Sequence, residues 1–293
     1  MRFLSYRRAG IPGTAALFDG IWRGREADGT GYAGSIAQLL AVGPPALKRA
    51  HEMLADAPIL DLDAIEVLPP LTAPAKIICV GLNYADHTAE SGYAQPSYPT
   101  LFPRFASSLV AHGEAIVRPV ASDSLDFEGE LVAVIGKSGR HIAKADALAH
   151  VAGYSIFNDG SVREFQHKTP QWTVGKNFDG TGAFGPWFVT SDELPSGAAG
   201  LKIETRLNGQ IVQASNTDHL IFDVATLVST VSEAITLEPG DILVTGTPSG
   251  IGHARTPKLY MKPGDVVEVE IEGIGTLRNP IAQEVIEQRS AIA

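Results

Sequence analysis

From Phe127 to Gly139 the chain reads FEGELVAVIGKSG, and no other segment restricts the fold as much. Side chains alternate across a strand, so Glu128 and Glu130 share a face with Val132 and Val134. The opposite face carries Phe127, Leu131, Ala133 and Ile135. Both faces turn apolar, which places this strand inside a core and takes two carboxylates, ~6–7 Å apart, in with it. Like charges repel strongly where the dielectric is low. Such a pair takes up protons, pairs with cations or binds a metal. The segment VVEVEIEG near the end of the chain is an internal control. There Glu268, Glu270 and Glu272 alternate with Val267, Val269 and Ile271, the pattern of a strand with one wet face.

A third carboxylate favours the metal, and GYSIFNDGSVREF supplies Asp159 at the end of another apolar run. Hard carboxylate oxygens suit Mg²⁺, Mn²⁺ or Ca²⁺ better than Zn²⁺. Pairing with Arg163 or Lys176 is the alternative that the residues leave open. The single cysteine, Cys79, lies in the apolar run KIICVG and reads as a small core residue, so no internal disulfide or cysteine-based cluster is available. A net charge of -10 gives no electrostatic footprint for nucleic acid. No stretch approaches a membrane span, and the opening MRFLSYRRAG lacks the apolar core of a signal peptide, so the chain reads as cytoplasmic.

Hydrophobic residues make up 44% of the 293 positions, enough for a sizeable core. MRFLSYRRAG and GTAALFDGIWRG read as short strands with glycine turns, and SIAQLLAVGPPALKRAHEMLADA as two helices broken at Gly43-Pro44-Pro45. The proline-rich LPPLTAPAK suggests a boundary near Pro70, with a small α/β domain over 1–70 and a catalytic domain over 71–293. Beyond it the pattern is mainly β. LKIETRLNGQIVQASN is a hairpin around Asn208-Gly209. FDVATLVSTVSEAITL spaces Val224, Leu227, Val228, Val231 and Ile235 as a helix does.

In NYADHTAESG, His87 and Glu90 stand three apart, neighbours on a helical turn. A carboxylate beside an imidazole orients it and raises its basicity, which suits a general base. Gly81, Gly92 and Pro96 flank this segment and would let it move as a lid. Arg163 follows Asp159 by four and is either an ion-pair partner or a fork for a substrate carboxylate. TGTPSGIG lacks the Gly-Lys-Ser/Thr ending of a P-loop, yet its backbone N–H groups, Gly246 among them, can form an anion nest, with the Thr247 hydroxyl beside it. His112, His141, His150, His167, His219 and His253 show no spacing that demands metal ligation and read as structural or surface residues.

Five blocks, in this order, make the chain resemble the fumarylacetoacetate hydrolase family from about Lys76 to Ile281: VGLNYADHTAESG, DFEGELVAVIGKSGR, GYSIFNDGSVREFQ, QWTVGKNFDGTGAFGP and GDILVTGTPSGIG. The resemblance implies a twisted β-roll, mainly β with α+β elements, and a homodimer. It implies Mg²⁺ or Mn²⁺ on Glu128, Glu130 and Asp159, a catalytic His87–Glu90 pair, the active-site lysine at Lys176, and Arg163, Thr247 and Gly246 around the substrate. The implied reaction is hydrolysis of a C–C bond in a β-diketo acid such as an acylpyruvate, giving a carboxylic acid and a 2-oxo acid. Oxo-acid decarboxylases and isomerases of unsaturated dioic acids, which share the site, are the alternative.

Overall fold

A computed structural model describes residues 1–90 and 94–286. At its centre is the strand Gly129–Ile135, every residue of it buried. It pairs antiparallel with Val151–Asp159 on one side and Ile242–Val244 on the other. The sheet grows both ways to the order 21–26, 11–18, 2–8, 182–190, 151–159, 129–135, 242–244, 77–81, 100–104. Glu66–Val67 and Leu109–Val110 join its margin, for eleven strands. A second sheet of five runs 210–216, 202–207, 266–271, 275–283, 116–118.

Both faces of the central strand are covered, as its sequence requires. Leu131, Ala133 and Ile135 meet the second sheet in a core with Ile203, Val267, Val269 and Leu277. Gly129 lies on that face, where a Cβ would stand 2.2 Å from Thr205 Oγ1 and 2.9 Å from Val269, so only glycine lets the sheets approach this closely. Val132 and Val134 face the other way, into a core with Phe188 and the helices Ile36–Val42 and Pro44–Leu54. Burying each such side chain contributes roughly 1.5–3 kcal/mol. A one-residue slip would exchange the two faces and drive the glutamates between the sheets, which fixes the register.

Local signals behave as their chemistry predicts. Ala9-Gly10, Asp19-Gly20 and Asn208-Gly209 all have positive φ, as two-residue hairpin turns demand. Ser35 and Gln38 form a capping box at the first helix, and Pro44 opens the second, where a missing N–H costs nothing. The helix Val224–Ala234 is capped by Asp223 and buries Val224, Leu227, Val228 and Val231. The expected extension to Ile235 does not occur. Ile235 turns extended and is 37% exposed, because Leu237 pairs its backbone with Gly139 instead. In the strand Val266–Ile271, Val267, Val269 and Ile271 are buried while Glu268 and Glu270 reach Arg278 and Arg206 on the wetter face.

Backbone hydrogen bonds cross the proline-rich segment. Arg2–Arg8 pairs with Gly182–Thr190, matching Phe3 to Phe188, and Phe3 and Ala16 share a core cluster with Cys79, Phe102 and Val132. Residues 1–70 thus add strands and two helices to the same sheet and core. Among the described residues no helix is long and apolar enough to cross a membrane.

Candidate active site

The antiparallel register that matches Gly129 to Asn158 and Glu130 to Phe157 sets Asp159 across from Glu128, whose carbonyl accepts the Asp159 N–H at 2.8 Å. Glu128, Glu130 and Asp159 therefore crowd one face at the strand ends. One carboxylate oxygen from each lies within 4.8 Å of the others, and the residues are 5%, 2% and 0% exposed.

Cations surround two of the three. The Lys176 ammonium, at the end of the short helix Thr173–Lys176, sits 2.7 Å from Glu128 Oε2 and 2.6 Å from Asp159 Oδ2. Arg163 Nη1 is 2.6 Å from Glu128 Oε1, and its Nε donates to Asp126 at 2.8 Å. Arg104 pairs with Asp159 and donates to the Gly160 carbonyl and the Thr181 hydroxyl. Glu130 is different. It accepts the Gly246 N–H and has no cation within ion-pair distance among the described residues. Burial raises the Glu130 carboxyl well above its ordinary pKa, and the charges of Asp159 and Glu128 add to it. Burial pushes Glu128 the same way, but Lys176 and Arg163 outweigh it and bring that carboxyl down to about 2. Burial opposes charge on Lys176 too, yet Asp159 and Glu128 hold its pKa above the usual value, so it stays an ammonium.

The buried cluster thus sets four carboxylates, Asp126, Glu128, Glu130 and Asp159, against three cations, Arg104, Arg163 and Lys176. The surplus negative charge falls on Glu130, and all the donors are hard oxygens. That set fits a small divalent cation such as Mg²⁺ or Mn²⁺. Pairing with Arg163 and Lys176, the alternative left open by the sequence, accounts for Glu128 and Asp159 but not for Glu130.

His87 and Glu90 sit on the short helix Ala85–Glu90. Its approach is pinned by Asn83, whose amide donates to the Thr245 and Phe222 carbonyls. His87 is 7% exposed, and its Nδ1 lies 3.1 Å from Glu90 Oε1. That contact assigns the proton to Nδ1 and leaves Nε2 as the free base. Glu90 in turn accepts the Gly250 N–H at 3.0 Å, and Asp86 accepts the Ser249 hydroxyl at 2.8 Å, so this helix is docked on the TGTPSGIG loop. Gly92, the far flank of the expected lid, lies outside the described residues.

The anion nest expected of that loop is filled by the chain's own carboxylates. Gly246 N–H serves Glu130, Gly250 serves Glu90, and Gly252 and His253 serve Asp126. Gly246 has φ 102°, and a Cβ there would stand 2.8 Å from Asn83 Cβ, so glycine is required to aim its N–H at Glu130. Thr247 donates its hydroxyl to the Gly129 carbonyl and accepts from Gln213, which ties the loop to the central strand.

His87, Glu90, Glu128, Glu130, Arg163, Lys176 and Thr247 line one cavity of about 400 Å³, while Asp159 and Gly246 stand behind its wall. Phe102, Trp172 and Ile251 supply its apolar sides. Several residues in and behind its wall were not singled out from the sequence. Arg104 and Asp126 complete the charge cluster, and Gln166 accepts from Arg163 Nη1 at 2.9 Å. His167, exposed as expected of a surface residue, and the half-buried His253 also line the cavity, just after the GYSIFNDGSVREFQ and GDILVTGTPSGIG blocks. The usable signal was Arg104 itself, a lone cation in the apolar run LFPRF.

Comparison with known proteins agrees with this geometry. The family model described as fumarylacetoacetate (FAA) hydrolase C-terminal matches residues 76–282. The oxaloacetate tautomerase Fahd2a, mitochondrial, of Rattus norvegicus is 42% identical over 249 residues, 84% of this chain and 79% of that protein. The solved fumarylacetoacetate hydrolase of Exiguobacterium antarcticum superposes with a TM-score of 0.84 at 37% identity, over 97% of this chain and all of that one. A 5-carboxymethyl-2-hydroxymuconate delta-isomerase from Mycobacterium smegmatis follows at 30% identity and a TM-score of 0.76, over 98% and 100%. With the matched region spanning most of the chain and the site falling inside it, this protein belongs to the fumarylacetoacetate hydrolase family.

Proposed function

We infer that the chain moves a proton at carbon 3 of a small 2-oxo acid of the oxaloacetate type, interconverting keto and enol forms with Mg²⁺ or Mn²⁺ as cofactor. One observation carries this: a buried imidazole, oriented by Glu90, lines the same cavity as the carboxylate floor formed by Glu128 and Glu130. Similarity to oxaloacetate tautomerase over 84% of the chain supports it and moves the expected C–C hydrolysis to second place.

Glu128, Glu130 and Asp159 would hold the divalent cation, which would supply Lewis acidity toward a 2-oxo group. His87 Nε2 takes the proton from carbon 3, and Glu90 stabilises the imidazolium that results. The ammonium of Lys176, already fixed by two carboxylates, stabilises negative charge developing on oxygen without reorganising. His87 then returns the proton to carbon or oxygen. Phe102 and Trp172 limit access of bulk water, which keeps an enolate from side reactions.

Hydrolysis of a β-diketo acid is the second reading, supported by the similarity to fumarylacetoacetate hydrolase over 97% of the chain. There His87 takes its proton from water instead. The homodimer and the cytoplasmic location belong to this proposal as well. The test is to strip the protein with chelator, restore Mg²⁺ or Mn²⁺, and follow the enol absorbance of oxaloacetate alongside an acylpyruvate, with products identified. Metal-restored loss of the enol without CO₂ release supports the tautomerase. Acid and pyruvate from the acylpyruvate alone would transfer the assignment to the hydrolase. CO₂ and pyruvate from oxaloacetate would make it a decarboxylase.

A further inference from the structure

The apolar wall of the main cavity has a second space behind it. Leu82, Phe102, His167 and Trp172 line both the cavity and a hollow of about 820 Å³. They are the residues the two spaces share, so they form the partition. The rest of the hollow is lined by Thr100, Leu101 and the exposed residues 168–171.

Trp172 is the largest member of this partition, and the chain makes room for it. Gly81 ends the strand Ile77–Gly81, and its φ does not lie in the positive range, so its backbone conformation does not call for glycine. A Cβ there would stand 2.2 Å from Trp172 Cζ3 and 2.8 Å from Cη2. The indole lies where that side chain would be. Phe102, on the neighbouring strand, meets the indole edge-on, with ring centres 5.5 Å apart and planes at 64°. The Lys176 ammonium stands over the same phenyl ring, 5.0 Å from its centre. One helical turn joins Trp172 to Lys176, whose N–H donates to the Trp172 carbonyl at 3.2 Å. That turn cannot back away, because a Cβ on Gly175 would already stand 2.3 Å from the Gln166 nitrogen. The indole is wedged between the Gly81 backbone, Phe102 and a fixed turn.

Building on the 2-oxo-acid reading above, we propose that Trp172 sets the size limit of the substrate beyond carbon 3, by closing the cavity against this hollow. Glu128, Glu130 and His87 take up the polar part of the cavity. An apolar group carried past carbon 3 turns to the apolar wall, because the other flank presents Arg163 and His253, which it would desolvate without compensation. There it meets the indole. A cavity of about 400 Å³ holds a short oxo acid, whereas the hollow of about 820 Å³ has room for an aryl group once the indole is gone. With the indole in place, the extra atoms of such a group would have to displace packed side chains, which is costly.

The test titrates oxamate and N-phenyloxamate calorimetrically into the Mg²⁺-loaded full chain. Both are unreactive analogues of a 2-oxo acid, with nitrogen at the place of carbon 3, and they differ only by the ring. The wild type is expected to bind oxamate more tightly. Trp172→Ala should shift the ratio of the two dissociation constants by about tenfold toward N-phenyloxamate, through tighter binding of the larger ligand. Trp172→Phe keeps a smaller aromatic wall and should fall between. Tighter binding is a gain that damage to the fold does not produce. A ratio unchanged in both variants, or a wild type that already favours N-phenyloxamate, overturns the size limit and leaves the oxo-acid reading intact. If oxamate does not bind the Mg²⁺-loaded wild type, the oxo-acid reading falls and the size limit with it. If the ratio shifts as described while oxaloacetate is not turned over, the size limit stands and the tautomerase reading alone falls.

Discussion

On the proposed tautomerase reading, His87→Ala is expected to lower turnover of oxaloacetate by about 10²–10⁴-fold while Mn²⁺ affinity stays at the wild-type value. The magnitude is that of a positioned general base. The independence from metal follows from the geometry. His87 Nδ1 is held by Glu90, and the three oxygens that crowd together come from Glu128, Glu130 and Asp159. Rapid kinetics gives the first quantity, and titration followed by electron paramagnetic resonance of free Mn²⁺ gives the second. Glu90→Gln should cost less, because the ring keeps a hydrogen-bonding neighbour but loses the charge that stabilises imidazolium. If His87→Ala loses the metal instead, the imidazole is a ligand and the assignment of the base is wrong.

Removing the metal changes how stability depends on pH, through Glu130. Burial and two neighbouring carboxylates raise the folded-state pKa of Glu130 well above its ordinary value, so folded protein binds a proton that unfolded chain releases. By linkage that contribution is fully present below the unfolded value, about 4.3, and is lost as pH rises toward the folded one, at up to about 1.4 kcal/mol per pH unit. Glu128 behaves oppositely. Held down to about 2, it stabilises above the unfolded value and fails only as pH falls toward about 2, below the window that matters. Glu130 therefore makes the metal-free protein weaken as pH rises above its unfolded value. The lowered histidines His167 and His253 act the opposite way below their unfolded value of about 6.5, so the Glu130 contribution is read as the difference from Glu130→Gln. A divalent cation at 100 times its Kd should restore about 2.7 kcal/mol, with the largest recovery at the alkaline end, where no proton competes. Urea unfolding at several pH values, with chelator and with Mg²⁺, measures both. A Glu130→Gln variant that keeps the wild-type metal-free slope rejects this role for Glu130.

Much of the site was legible because its signals are short-range. Two glutamates on one face of a strand apolar on both sides demand neutralisation wherever that strand ends up, and Asp159 closes another apolar run in the same way. His87 and Glu90 lie within one helical turn. The five sequence blocks pointed to the family before any geometry was known, and the matched region, 76–282, contains all of them. The neutralising partners were harder to find. Arg104 meets Asp159 across 55 positions, and Arg163 meets Asp126 across 37. No periodicity links residues so far apart. The backbone N–H groups of the TGTPSGIG loop looked available to a ligand, and only their positions reveal that Glu130, Glu90 and Asp126 already occupy them.

By itself, the sequence determined the elements whose cause is local: the doubly buried strand Gly129–Ile135, the hairpin turns with positive φ, the helix pair split at Gly43-Pro44, and the alternation that separates the wet strand Val266–Ile271 from the buried one. Side-chain alternation and backbone sterics act over a few residues and leave their mark on neighbouring letters. Only the tertiary structure decided that residues 1–70 extend the same sheet, that Ile235 leaves its helix, that among the described residues Glu130 lacks a cation while Glu128 has two, and that the rings of His167 and His253 meet at the cavity wall. Each of these depends on which distant groups meet. Coulomb interactions and desolvation depend on distance and burial, and sequence separation records neither.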